Sequence, residues 1–343
     1  MFNYIVRRLI IMIPTLFGIT ILCFGIINLA PGSPVEQKIQ QLRFGGMGSV
    51  GSTDPGNSKE NAVSKEVVEA LKKQYGFDKP MHIRYWIWLK NLSRLDFGES
   101  FTYEEPATDI IVSKFPVSIQ FGIISLLMTY LICIPLGIFK AVKNGTKFDM
   151  ISSVFLSALY SIPGFMLGIL LLVFFSGGTF LDWFPLGELL SDNYDEMTFF
   201  EKIKDRIWHF VLPLISYMIG NFTVLTILMK NSLLDEIKKD YVRTARAKGI
   251  SENIVFLKHA ARNALIPIVT GIGGFLSFFL AGSLLIEKIF ELDGIGLMGF
   301  EAIMQRDYNI IMALIFIQSF LLLIGNLISD LAYIVVDPRI DFS

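Results

Sequence analysis

The chain has 343 residues and a net charge of −1, and 53% of its residues are hydrophobic against only 18% charged. Its mean hydropathy of +0.56 is too high for a soluble domain of this length, whose surface would carry more charge. We therefore expect an integral membrane protein. No excess of Lys or Arg exists to follow a phosphate backbone, which excludes a nucleic-acid partner recognised in that way.

Residues 1–30 predict a first membrane span. Arg7 and Arg8 precede an uncharged apolar run from Leu9 to Ala30. This run is long enough to cross about 30 Å of hydrocarbon and longer than the apolar region of a cleaved signal peptide. Because the two arginines precede it, the N-terminus is expected inside.

Residues 31–115 have the composition of a soluble segment and predict a small external domain. A Gly/Ser-rich stretch, Gly45 to Ser58, has no apolar period and is expected to be a loop. Ser64 to Tyr75 is then typical of a helix. A second helix follows, and its Trp86 and Trp88 are expected to anchor at the membrane interface.

Five further apolar runs complete six expected spans within residues 116–336, followed by a tail at 337–343. The runs are Pro116–Phe139, Met150–Phe180, Phe210–Met229, Asn263–Ile286 and Ile310–Ser329. Basic residues gather after the second and fourth runs, including Lys140, Lys143 and Lys147, so these loops and both termini are expected in the cytoplasm. The prediction is an all-α fold of six transmembrane helices with a small external domain after the first.

The central parts of the six runs contain no ionisable residue. Ion-coupled transporters keep such groups at membrane depth, and an intramembrane protease would need catalytic groups there, so neither class fits. A phosphate-binding Gly-x-x-x-x-Gly-Lys-Ser/Thr segment is also absent, and any ATP would be bound by another subunit. Gly294, Gly296 and Gly299 spell G-x-G-x-x-G, but without a strand–helix unit around them they do not indicate a nucleotide site.

The cysteines and histidines predict no metal site, disulfide framework or cofactor. Cys23 and Cys133 lie inside apolar runs, where a thiol behaves as a small hydrophobic group. The three histidines are far apart and none has a partner at metal-ligand spacing.

Prolines and glycines are expected to break or thin three of the helices. Pro163 lies in the third run, Pro213 and Gly220 in the fourth, and Gly271 in the fifth. Such positions serve either close helix packing or movement along a transport pathway. Candidates for lining a pathway are Ser161, Pro163, Ser216, Asn221, Thr223, Ser277 and Gln318.

One polar, basic segment, Lys238 to Pro267, stands between two long apolar runs. Its first part, Asp240 to Lys248, is Ala-rich and predicts a short helix that stops at Gly249. On chemistry alone, a basic helix beside a membrane can simply lie on anionic lipid.

This segment resembles the coupling loop of bacterial ABC importer permeases. In these proteins a short Ala-rich helix ends at a glycine and docks into a cleft on an ATPase subunit. Arg243, Thr244 and Ala245 stand where the general motif has Glu-Ala-Ala, so its Glu is missing, and Gly249 matches its glycine. The form found here is similar to the oligopeptide/dipeptide/nickel branch. Residues shared with that branch include Tyr241, His259, Arg262, Asn263, Ala264, Leu265 and Pro267.

The resemblance covers nearly the whole chain, from the opening RRLIIMIPTLFGIT to the closing DPRIDF. The YGFDKP and LLDEIKKDYV segments resemble most closely the Yej-type permeases, a branch associated with oligopeptides and microcin C.

The resemblance implies a permease of the type I importer fold in the bacterial inner membrane, surrounded by lipid. Its implied partners are a homologous second permease, ATP-binding subunits and an external solute-binding protein. Within the implied coupling loop, 231–262, the small Thr244, Ala245 and Ala247 would allow close docking, while basic side chains would meet acidic groups of the ATPase. The coupling residues are Tyr241, Arg243, Thr244, Ala245, Arg246, Ala247, Lys248 and Gly249.

Three alternatives remain open from the residues. The chain could carry nickel or another small solute, it could be a scaffold or receptor that does not transport, or it could be a channel. A scaffold would not associate with an ATPase and would tolerate substitution of Ala245 and Ala247.

Overall fold

The computed structural model describes residues 2–45, 65–74, 76–178, 180–274 and 282–336. Regular structure in these ranges is helical, apart from two isolated bridges that join Glu99 to Pro106 and Ser176 to Phe184. The first nine helices are α1 (Phe2–Leu29), α2 (Pro34–Gly45), α3 (Lys65–Gln74), α4 (Met81–Leu92), α5 (Ala107–Val142), α6 (Lys147–Tyr160), α7 (Gly164–Phe175), α8 (Phe199–Ile237) and α9 (Asp240–Ala247). The later ones are α10 (Glu252–Ile254), a π-helical segment (Val255–Ala260), α11 (Ala261–Ala264), α12 (Ile266–Thr270), α13 (Leu284–Ile289), α14 (Ile295–Met304) and α15 (Tyr308–Val336).

Four of the described helices, α1, α5, α8 and α15, are long and apolar enough to cross a membrane. They confirm four of the expected spans. The fifth expected span, Asn263–Ile286, includes residues 275–281, which lie outside the described part of the chain. The total of six spans therefore stays a prediction.

The third apolar run forms two helices, α6 and α7, whose axes differ by 97°. Pro163 directly precedes α7 and has an extended backbone with a ψ of 139°, which ends one helix and starts the next. The break expected at Pro163 is confirmed. Pro213 and Gly220, in contrast, lie inside the uninterrupted α8.

The chain divides into two compact units. The first consists of Met1–Met12, Lys114–Leu297 and Phe320–Ser343. Its largest cluster of buried apolar side chains surrounds the second half of α8, where Leu225, Met229 and Leu233 are fully buried. This packing makes α8 the central helix of the first unit.

The second unit consists of Ile13–Ser113 and Met298–Ser319. Its core joins Phe24, Tyr85, Trp88 and Met312. The expectation that Trp88 anchors at the membrane interface is wrong, because its ring is buried in this core, whereas Trp86 is exposed.

Buried Asp307 caps α15 in the second unit. Its Oδ1 accepts the backbone N–H of Ile310 at 3.3 Å, and its Oδ2 accepts the Ser100 hydroxyl at 2.5 Å. The expected loop at Gly45–Ser58 lies outside the described residues from position 46 onward.

Candidate functional site

The short helix expected in the basic segment is present as α9. Gly249 follows it with a φ of +79°. The N–H of Gly249 bonds to the carbonyl of Arg246 at 2.9 Å, and the N–H of Ile250 reaches the carbonyl of Ala245 at 3.4 Å. This pair of bonds is a Schellman motif, which favours glycine because only glycine enters the left-handed region without strain. The predicted helix and its stop are confirmed.

One face of α9 packs into the first unit's core. Val242 and Ala245 are buried there beside Leu233, and their spacing of three residues places them on one side of the helix. The expectation that Ala245 docks against a partner is therefore wrong, because its methyl group already packs against residues of the same chain.

The opposite face of α9 is exposed. It presents Arg243, Thr244, Ala247 and Lys248. The Thr244 hydroxyl donates to the carbonyl of Asp240 at 2.9 Å, so this polar group is already bonded within the helix. The exposed face therefore has two small side chains, Thr244 and Ala247, at its centre and two basic side chains, Arg243 and Lys248, at its edge.

The basic side chains of α9 are not equivalent. The guanidinium of Arg246 forms a two-point pair with the Glu252 carboxylate, with Nε–Oε1 and Nη2–Oε2 distances of 2.8 and 3.2 Å. Within the chain its charge is therefore compensated by Glu252, and its expected role in meeting a partner's acidic groups stays a prediction. Arg243 has only a loose, exposed pair with Asp240 at 3.5 Å, and Lys248 has no ion pair within the described residues.

Tyr241 fixes the junction between α8 and α9. Its hydroxyl donates to the Glu236 carboxylate at 2.5 Å and accepts the side-chain N–H of Asn263 at 3.0 Å. Glu236 also accepts from Lys239 at 2.5 Å. Burial, followed by the bond to Glu236, raises the pKa of Tyr241 to about 12, so the phenol stays a donor at physiological pH. The orientation of α9 is thus tied to α8 and to α11.

A buried ionic cluster lies near the same end of α8. Lys230 contacts both carboxylate oxygens of Asp149 at 2.7 and 2.8 Å. Lys140, fully buried in the last turns of α5, reaches the same carboxylate at 3.2 Å and the hydroxyls of Ser152 and Ser153 at 2.6 and 2.9 Å. Lys140 was expected in a cytoplasmic loop, but it lies inside α5. The sequence signal that could have indicated this cluster was a set of charged residues at the edges of apolar runs.

A second buried carboxylate was missed because it lies one residue beyond an apolar run. Glu287 is 1% exposed. Its Oε1 accepts from the Tyr217 hydroxyl at 3.2 Å, the Ser283 N–H at 3.2 Å and the Ser118 hydroxyl at 3.4 Å, and its Oε2 accepts the Leu297 N–H at 2.7 Å. These neutral donors connect α5, α8, α13 and α14.

Two glycines of the G-x-G-x-x-G pattern lie in close contact with this site: Gly294 with the carboxylate itself, and Gly296 with the backbone of Ser283 and Leu284. A Cβ on Gly294 would lie 2.5 Å from the Glu287 Cδ, and one on Gly296 would lie 2.7 Å from the backbone N of Leu284. Backbone packed around a carboxylate accounts for these two glycines.

The pathway candidates do not form one group. Ser161 and Thr223 line the same groove of about 540 Å³, beside the α6–α7 break that Pro163 makes. The Thr223 hydroxyl donates to the carbonyl of Leu156 at 2.9 Å. Buried Ser216 is close to Gly168, where an added Cβ would lie 3.2 Å from the Ser216 hydroxyl.

Asn221 and Gln318 are not among the residues that line that groove. Asn221 is half-buried on α8, and Gln318 is exposed on α15 in the second unit. Ser277 lies outside the described residues. The described ranges also contain no cluster of three or more His, Cys, Asp or Glu side chains arranged to hold a metal ion.

Long apolar helices, a broken span and a polar helix buried on one face define a multi-pass, all-helical membrane protein. The family model described as "Binding-protein-dependent transport system inner membrane component" matches residues 133–342. The chain belongs to this family and is a permease component of such a system in the inner membrane.

Full-length relatives agree with the family assignment. The chain is 46% identical to the peptidoglycan transport system permease protein YejB of Agrobacterium fabrum, over 99% of this chain and 98% of the relative. It is 44% identical to the inner membrane ABC transporter permease protein YejB of Escherichia coli O157:H7, with the same shares covered. It is 35% identical to the oligopeptide transport system permease protein AppB of Bacillus subtilis, over 99% of both chains.

Proposed function

We propose that this chain is one of two permease subunits in an ATP-driven importer of short peptides or peptide-like molecules. It pairs with a homologous permease, so that each subunit forms half of the pathway. ATP-binding subunits dock from the cytoplasm, and an external solute-binding protein delivers the substrate. The chain has six spans, an external domain at 31–115 and both termini in the cytoplasm.

The exposed face of α9 is the observation that carries this proposal. Its opposite face is packed against α8, and Tyr241 fixes the angle between the two helices. A force applied to α9 would therefore be transmitted to the 39-residue α8, which is long enough to span the membrane. ATP-driven closure of the docked subunits supplies that force. Lys248 and Arg243 meet acidic groups of the ATPase.

The relatives support a peptide-like substrate. Their names attach them to peptidoglycan and oligopeptide transport. Peptidoglycan fragments and oligopeptides share amide backbones with charged ends. We infer that substrates of this importer have the same chemistry.

Replacing Gly249 with Val tests the coupling role. An added Cβ meets no atom within 4 Å, so the cost comes from the backbone, about 1–2 kcal/mol for a residue forced into the left-handed region. That energy corresponds to roughly a tenfold smaller population of correctly formed α9 ends. We expect uptake to fall about tenfold while ATP hydrolysis and membrane insertion persist.

Gly249→Asn is the matched control, because Asn enters the left-handed region more easily. It should retain most uptake. Equal uptake by the wild type and the Val variant would refute the coupling role of this helix end.

Recovery of the complex from native membranes separates this proposal from the scaffold alternative. Crosslinking followed by mass spectrometry should recover a second permease and a protein with a phosphate-binding loop. Ala247→Leu should weaken that association, because Ala247 is on the exposed face. Ala245 cannot make the distinction, since its substitution disturbs the chain's own core. Recovery of the chain alone would favour the scaffold.

A further inference from the structure

The second unit contains a cavity of about 610 Å³. This volume is within the range of small-molecule sites, which are typically apolar with a few placed polar groups. Aromatic and apolar side chains form much of its wall, among them Phe24, Trp88, Phe97, Phe101 and Met312. A small ligand with an apolar group would therefore find a suitable surface here.

Arg84 lines this cavity as an uncompensated cation. Its guanidinium carbon lies 3.8 Å from the centre of the Phe77 ring and 5.9 Å from that of Phe24. Within the described residues no carboxylate pairs with it, and burial lowers the pKa of its guanidinium. A half-buried cation that lacks an anion is costly, and a carboxylate from a ligand would relieve that cost through charge-assisted hydrogen bonds.

Glu99 lines the same cavity as the complementary anion. The Asn309 side chain donates to the backbone carbonyl of Glu99 at 2.7 Å, which holds the chain while leaving the carboxylate without a cationic partner in the described ranges. The neighbouring Glu104 differs, because Lys38 pairs with it at 2.8 Å. Lys79 also lines the cavity without an ion pair in the described ranges, but it is exposed. Arg84 is therefore the cavity's half-buried unpaired cation and Glu99 its unpaired anion, and the two do not bond to each other.

We propose that this cavity binds a short zwitterionic peptide, with its C-terminal carboxylate on Arg84, its N-terminal ammonium group towards Glu99 and an apolar side chain on the aromatic wall. Opposite charges that do not pair with each other, in a cavity with an aromatic wall, fit a peptide better than a phospholipid, whose charges are adjacent. The peptide class rests on the proposed function. The permease would then bind its substrate in the second unit as well as along the pathway.

Binding of Ala-Phe-Ala tests this proposal. The complex is purified with its partner subunits, without the solute-binding protein or ATP, in phosphatidylcholine nanodiscs. Calorimetry compares the free tripeptide with its C-amidated and N-acetylated forms. We expect the free form to bind about tenfold more tightly than either, the change that one charge-assisted contact of about 1.4 kcal/mol produces.

Two variants should each remove one preference. Arg84→Gln should abolish the preference for a free carboxylate, and Glu99→Gln the preference for a free amino group. Arg84→Lys keeps the charge and should retain part of the first preference. The matched controls Lys90→Gln and Glu105→Gln change exposed charges that do not line the cavity, and both preferences should persist in them.

Any of three results would overturn the proposal. The first is an Arg84→Gln complex that still prefers the free carboxylate, and the second is a wild-type complex that shows no preference. The third is an Arg84→Gln complex with altered affinity for phosphatidylglycerol and unchanged affinity for all three peptides, which would make the cavity a lipid site. Gly249→Val should leave these affinities unchanged. Absence of peptide uptake by the wild type would refute the proposed function separately.

Discussion

Two buried carboxylates contact the central helix α8 at different positions along its length, and different groups compensate their charges. Asp149 binds Lys230 on α8 and Lys140 on α5. Glu287 binds Tyr217 on α8 and reaches Ser118 on α5. The same two helices are thus connected twice.

The difference lies in what compensates each negative charge. Two ammonium groups compensate the charge of Asp149, so the stability of this cluster depends on the balance of the charges within it. Hydroxyl and backbone N–H groups surround Glu287, and their placement depends on glycines that leave room for it. Removing a charge should therefore destabilise the Asp149 cluster, whereas disturbing the backbone packed around the carboxylate should destabilise the Glu287 site.

Asp149→Asn should have the largest effect. It leaves the fully buried Lys140 and the half-buried Lys230 without their anion, and removing one partner of a buried ion pair costs about 3–5 kcal/mol. We expect a strong loss of folded protein, measured as the yield and thermal midpoint of the purified complex. Asp235→Asn is the control, because its pair with Lys238 is exposed and 3.8 Å long. An Asp149→Asn complex as stable as this control would show that the cluster does not hold α5 to α8.

Glu287→Gln should have a smaller effect. Both oxygens of the carboxylate accept hydrogen bonds, but the new amide would replace one oxygen with an NH₂ group that faces other donors. Losing hydrogen bonds to a charged group in this way costs about 2 kcal/mol. The thermal midpoint should fall less than for Asp149→Asn.

A double-mutant cycle sharpens the test of Glu287. Gly294→Ala should destabilise the wild type, because its Cβ would meet the Glu287 carboxylate. In a Glu287→Ala background the same change should cost little, since the obstructing atoms are gone. Equal costs in both backgrounds would mean that Gly294 is required for another reason.

Features set by local chemistry were predictable from the sequence. The basic helix, its stop at Gly249 and the break at Pro163 follow from propensity and backbone restriction, which operate within a few residues. The family resemblance, carried by short segments along the chain, was also confirmed.

Features set by long-range pairing were not predictable. Nothing near Ala245 in the sequence indicates that it is buried while Ala247 is exposed, because this depends on how α9 lies against α8. The pairing of Arg246 with Glu252 was also not predictable, because it requires the turn at Gly249 to bring α10 back towards α9. Lys140 was expected in a cytoplasmic loop because its burial against Asp149, which Lys230 also contacts, arises only in the folded unit.

Tyr241→Phe should have the smallest effect of these changes and act on coupling more than on folding. It removes the hydrogen bonds to Glu236 and Asn263 at the α8–α9 junction, with a cost of about 1 kcal/mol. We expect normal assembly but about fivefold weaker stimulation of ATP hydrolysis by substrate. Tyr194→Phe is the control, because its hydroxyl has no hydrogen bond within the described ranges. If stimulation is unchanged in both variants, the hydrogen bonds of Tyr241 are not needed for coupling, and the apolar contacts of Val242 and Ala245 are sufficient to hold the junction.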